Sequence, residues 1–160
     1  MLELVETCDA DFDWMAGGPS SRSGLALPPG GVDTPEGVAV VRTIHAANNE
    51  AGTPGAWMMV AGGEVVGLCG AVRPPRDRGE IEIGYGVAPQ RRRRGHAGEA
   101  VGLLLAMARA DPSLTAVTAV TTEENAPSQA VLRRHGFAEV GREVRDEDGP
   151  VILWRLSIAR

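Results

Sequence analysis

The stretch "EIEIGYGVAPQRRRRGHAGEA", residues 80–100, decides the fold. Its first half alternates strictly. Glu80, Glu82, Gly84 and Gly86 fall on one face of an extended strand and Ile81, Ile83, Tyr85 and Val87 on the other, which predicts a strand over 80–89 with a core face and an open face. At His96 the period changes. Ala97, Ala100, Val101, Leu104, Leu105 and Ala108 recur at intervals of three and four until Asp111-Pro112, which predicts a helix over 96–110 laid on a sheet. The run "TAVTAVT" (115–121) is apolar on both faces, as suits a central strand with a parallel neighbour. Strand, helix and strand in this order form a right-handed βαβ unit.

Upstream, "AWMMVAGGEVVGLCGAV" (56–72) is two apolar runs joined by Gly62-Gly63, a hairpin whose turn permits positive φ at both positions. Pro35 to Asn49 carries Val38, Val41, Ile44 and His45 at helical spacing, with Gly52 just beyond its end. The stretch 17–35, rich in Gly, Pro and Ser, reads as a loop long enough to form a substrate-binding wall, with disorder the alternative. Downstream, Asn125 and Pro127 announce a short helix from Ser128 to His135, ended by Gly136. Residues 137–158 give two strands joined by "DEDG", an antiparallel closing hairpin. The expected fold class is α+β: one domain over residues 1–160, with a mixed, mostly antiparallel sheet and helices on both faces.

Composition narrows the function. The chain has 160 residues, 43% of them hydrophobic and 23% charged, which suits one globular domain with its own core. No apolar run approaches bilayer length, and the N-terminus lacks a basic-then-apolar leader, so no membrane partner and a cytoplasmic location are expected. Cys8 and Cys69, with three scattered histidines, show no metal-ligand spacing, so no metal site is expected. A net charge of −5 with 4% aromatic residues argues against nucleic acid as the partner of the arginine run Arg91–Arg94. The oligomeric state, homodimer included, is left open.

The arginine loop lies between a strand and a helix N-terminus, where unpaired backbone N–H groups and the helix dipole favour an anion. It contains neither GxxxxGK[ST] nor GxGxxG, which leaves a diphosphate held mainly by backbone. "VAPQRRRRGHAGEA" resembles the acetyl-coenzyme A loop of the GNAT N-acetyltransferases, an Arg/Gln-x-x-Gly-x-Gly/Ala pattern met here by Arg92, Gly95 and Ala97. "NAPSQAVLRRHGF" (125–137) is similar to the family's second signature, and "GYGVAP", "GHAGEA" and "VILWRL" resemble the branch that acetylates ribosomal-protein N-termini and its relatives acting on small amines. The resemblance covers roughly residues 56–158.

The resemblance implies transfer of an acetyl group from acetyl-coenzyme A to a primary amine of a small molecule or a peptide N-terminus. It also implies that the strands at 80 and 115 splay apart to admit the pantetheine arm, with Val87 supplying an oxyanion-stabilising N–H. The N–H groups of Arg92, Arg93, Arg94, Gly95, His96 and Ala97 would hold the diphosphate, and Asn125 and Ser128 match cofactor-contact positions. Arg92 and Arg94 are expected to turn to the diphosphate and Arg91 and Arg93 to solvent. Glu82 is the first candidate for general base, through a water, and Glu80 the second; the competing reading is that both are ordinary exposed strand residues. One departure stands out: Leu132 occupies the position where many relatives carry a tyrosine acid, and Tyr85, the single tyrosine, is expected to face the core. A non-catalytic acyl-coenzyme A binding module is the alternative.

Overall fold

The structure, a computed structural model, describes residues 1–158. The Gly62-Gly63 hairpin forms as expected between Ala56–Ala61 (β2) and Glu64–Ala71 (β3), with both glycines at positive φ, +57° and +77°. Antiparallel to β2 runs Leu2–Glu6 (β1), and antiparallel to β3 runs Glu80–Val87 (β4). His96–Ala110 (α3) crosses over to Ala116–Thr122 (β5), which lies parallel to β4. Ala126–Arg134 (α4) follows, then the hairpin Ala138–Arg145 (β6) and Gly149–Ser157 (β7). The seven-stranded sheet has the order β1-β2-β3-β4-β5-β7-β6.

Helices cover both faces, and each has its own apolar layer. Val101, Leu104 and Leu105 of α3 pack with Leu132 of α4, Ile83, Val117 and Trp154 on one side. On the other, Pro35–Glu50 (α2) and the short Asp9–Met15 (α1) set Val38, Phe12, Trp14 and Met15 against Met58, Val65 and Leu68. Among the described residues no helix is long and apolar enough to cross a membrane.

Several boundaries move. The strand expected over 80–89 ends at Val87, because Pro89–Arg91 turns into a single 3-10 turn. The helix expected from Ser128 starts at Ala126, capped by the Asn125 side chain, which accepts from the Ser128 N–H at 3.2 Å. β1 and α1 were not expected. The long loop at 17–35 is anchored to the sheet: Ala26 bridges Glu64, and Val32 is buried.

Candidate functional site

The parallel pairing of β4 with β5 lasts only from Glu80↔Ala116 to Glu82↔Thr118. Beyond it the two strands share no register. Which groups face the resulting gap follows from the other edge of β4. The Val72 N–H donates to the Glu82 carbonyl and the Ala88 N–H to that of Val66, both at 2.8 Å. Backbone groups alternate edges along a strand, so even-numbered residues of β4 bond to β3 and Ile83, Tyr85 and Val87 turn their polar groups into the gap. One of these is taken, because Arg92 Nε donates to the Val87 carbonyl at 3.1 Å.

The gap leads to the start of α3, which differs from the other long helices. Thr34 caps α2 and Asn125 caps α4, but the N-cap of α3 is Gly95, with no side-chain bond to the first turn. The first helical bond runs from the Glu99 N–H to the Gly95 carbonyl, so the N–H groups of His96, Ala97 and Gly98 have no intrahelical acceptor. Gly95 has φ +83° and Arg93 φ +65°, a left-handed conformation that non-glycine residues adopt at a cost of about 1–2 kcal/mol. A Cβ on Gly95 would meet nothing within 4 Å. His96 Nδ1 is buried without a hydrogen-bond partner. Donors, curvature and open space fit a diphosphate on backbone amides.

The arginines divide differently from expectation. Arg91 does not point into solvent: its guanidinium pairs with Glu64 on β3 through Nε and, at 3.0 Å, through Nη2, a fork that fastens the loop to the sheet. Arg92, Arg93 and Arg94 are exposed.

Glu82 also corrects the reading of an open face. It is 7% exposed, with Arg73 Nη2 at 3.2 Å and Arg76 Nη2 at 3.6 Å from its carboxylate. The β3–β4 loop folds back over this end of the strand, held by the Arg76 N–H on the Glu80 carbonyl at 2.8 Å, and so covers Glu82. Glu80 likewise pairs with Arg155 Nε at 3.2 Å. Neither glutamate is a free surface residue. Glu82 remains on the same face as Gly84 and Gly86.

Tyr85 packs on the α3 side, as expected, and donates its hydroxyl to the Ser128 carbonyl at 3.4 Å, which takes it from β4 to α4. Burial pushes its phenol up from the ordinary value, so the proton stays on at neutral pH. Leu132 has no exposed surface and belongs to the core. Sequence reasoning missed the partners Arg73, Arg76 and Glu64. "RPPRDRG" carries no periodicity, and Glu64 lies far from the arginines in the chain.

A βαβ unit with parted parallel strands and an uncapped basic helix start is thus shared by sequence pattern and structure. The profile of the acetyltransferase (GNAT) domain matches residues 6–138. The chain belongs to the GNAT acetyltransferase family. The match begins at Glu6, the last residue of β1 and well before the expected residue 56, so α1 and α2 are part of the shared domain. GNAT enzymes transfer acetyl groups and use acetyl-coenzyme A as the donor. A curated relative, described as the uncharacterized N-acetyltransferase YjdG of Bacillus subtilis strain 168, is 33% identical over 106 residues, which span 64% of this chain and 62% of that protein. Solved GNAT structures superpose over nearly the whole chain. A putative GNAT-family acetyltransferase from Bordetella pertussis has a TM-score of 0.70 at 23% identity, covering 96% of this chain and 94% of its own. Mycobacterium smegmatis RimJ, in complex with a coenzyme A disulfide, has a TM-score of 0.73 at 20% identity, covering 98% and 81%. At such identities the likeness is one of fold.

Proposed function

We propose that this GNAT domain acetylates a primary amine, on a small molecule or a peptide N-terminus, by direct attack on acetyl-coenzyme A. The observation that carries the reading is the gap between β4 and β5, which leaves the Val87 N–H unpaired beside an uncapped helix start. Acetyl-coenzyme A supplies an acyl group activated as a thioester. The chain's residues do the rest. The N–H groups of Arg92 to Ala97 hold the diphosphate, with the Arg92 and Arg94 side chains adding charge-assisted bonds and Asn125 and Ser128 bordering the site from α4. The Val87 N–H donates toward developing negative charge.

Glu82 receives the ammonium proton. It stands on the face of β4 that Gly84 and Gly86 leave bare, and takes the proton from the amine through bound water. Arg73 and Arg76 orient its carboxylate, and Glu80, paired with Arg155, is the second candidate. The proton needed by the departing sulfur comes from Tyr85, the one phenol in the chain and one whose hydroxyl reaches from β4 to α4.

Calorimetry with coenzyme A and a thiol-release assay over mixed amines test this. Binding together with amine-dependent thiol release is the expected result. Binding without release for any amine would favour a non-catalytic acyl-coenzyme A module, for which Leu132, in place of the tyrosine that many relatives carry, speaks.

A further inference from the structure

On the α1–α2 side of β4 a cavity of about 210 Å³ opens at the surface. Its floor is bare strand, because Gly84 and Gly86 put no side chain on the face where Glu82 stands. Its walls are apolar: Val32 from the long loop, Val41 and Ile44 from α2, Leu68 and Val72 from β3 and its end. Asp33 is the one carboxylate in the lining, and its Oδ1 already accepts from the Thr34 N–H at 2.7 Å. At the Val72 end stand Arg73 and Arg76, two guanidinium groups facing the single carboxylate of Glu82.

We propose that this cavity receives the acceptor's substituent, and that the acceptor is a monoamine bearing a compact apolar group rather than a polyamine or a lysine-rich peptide. The inference rests on the acetyl-transfer reading and narrows it. At roughly 30 Å³ for each water-sized volume, the cavity holds about seven non-hydrogen atoms. An aliphatic or phenyl group there would shed water against valine, isoleucine and leucine. With the reacting amine at Glu82, a second ammonium on the substituent would lie among valine, isoleucine and leucine, where Asp33, at the outer wall, is the one carboxylate and already accepts from the Thr34 N–H.

Gly86 gives a clean test. Its φ is not in the left-handed region, and a Cβ there would meet nothing within 4 Å, so a side chain can be added without strain and will occupy the cavity. Gly84 is less suitable, since its Cβ would meet Val72 Cγ2 at 3.1 Å. Thiol release is measured with isopentylamine and benzylamine against spermidine and a lysine-rich peptide, for the wild type and Gly86→Leu. Expected are kcat/KM at least about tenfold higher for the two monoamines and a loss of at least about tenfold for them in Gly86→Leu, with coenzyme A affinity by calorimetry unchanged. Faster turnover of spermidine or the peptide, or a Gly86→Leu enzyme as active as the wild type, would overturn the inference while leaving acetyl transfer standing. Absence of thiol release with every amine would instead sink acetyl transfer, and the inference with it.

Discussion

Asp11 has no exposed surface and is satisfied on every side: the Cys8 N–H, the Ser21 hydroxyl and the Arg22 guanidinium all donate to it, Arg22 through Nε at 2.9 Å and Nη2 at 2.7 Å. This cluster ties the start of the long loop to α1. Burial by itself would raise the carboxyl, but these donors outweigh it and hold the group well below the usual carboxylate range. A folded-state value below the unfolded one, ~3.9, contributes stability that is present above about pH 4 and lost as pH falls further. Urea unfolding should show Asp11→Asn destabilised by about 1–3 kcal/mol at neutral pH, because the charge-assisted bonds to Arg22 are lost. The same variant should lose less stability than the wild type between about pH 5 and pH 3. Glu82 is the second residue whose surroundings make a prediction. Glu82→Gln keeps the shape but not the basicity, so kcat should fall about a hundredfold with coenzyme A affinity unchanged. The deficit should shrink as pH rises toward the amine's own pKa. An unchanged kcat and pH profile would pass the role to Glu80 or to solvent.

At the scale of elements, the basic loop has two separable tasks. Arg91 is structural, so Arg91→Ala should lower the melting temperature and free Glu64 while leaving coenzyme A binding within a few-fold. Arg94→Ala should leave stability unchanged and weaken binding by about ten- to a hundredfold, the loss of one charge-assisted bond. Gly95→Val should cost about 1–3 kcal/mol of stability through its backbone conformation. It should weaken coenzyme A binding more than either arginine variant, since the new side chain enters the space over the helix start. Equal small losses of affinity at Arg91, Arg92, Arg93 and Arg94 in calorimetry would mean a diffuse basic surface. This unit was legible in the sequence because its hydrophobic period switches from two to three and four and back, so the helix bounds at His96 and Ala110 could be read directly. β1 was not, although Leu2 and Leu4 alternate with glutamates, because five residues without a turn signal carry little pattern. Seven-residue α1 hides in an acidic stretch for the same reason. The covering of Glu82 was illegible on other grounds: strand periodicity says which side chains share a face, but the loop that lies over that face has no period of its own.

Across the whole molecule, the sheet is two parts, β1 to β4 and β5 to β7, joined edge to edge at Glu80, Ile81 and Glu82. Amide exchange should report this. Along β4, the Gly84 and Gly86 amides, bonded to β3, should be protected in the free protein, whereas those of Tyr85 and Val87 should exchange fast and slow down when coenzyme A is added. Equal protection of the even and odd amides in the free protein would mean that the gap is closed in solution. The short join has a mechanical side as well. A sheet paired along only part of a shared edge is a notched plate, and the tip of the notch is at Glu82 and Thr118. Tension applied between the N-terminal strand and the C-terminal strand crosses that line, so stress concentrates there, and a coenzyme bridging the open edges acts as a splint. In single-molecule pulling from the two termini, the two halves should part first at the notch, and saturating coenzyme A should raise the force at which they do.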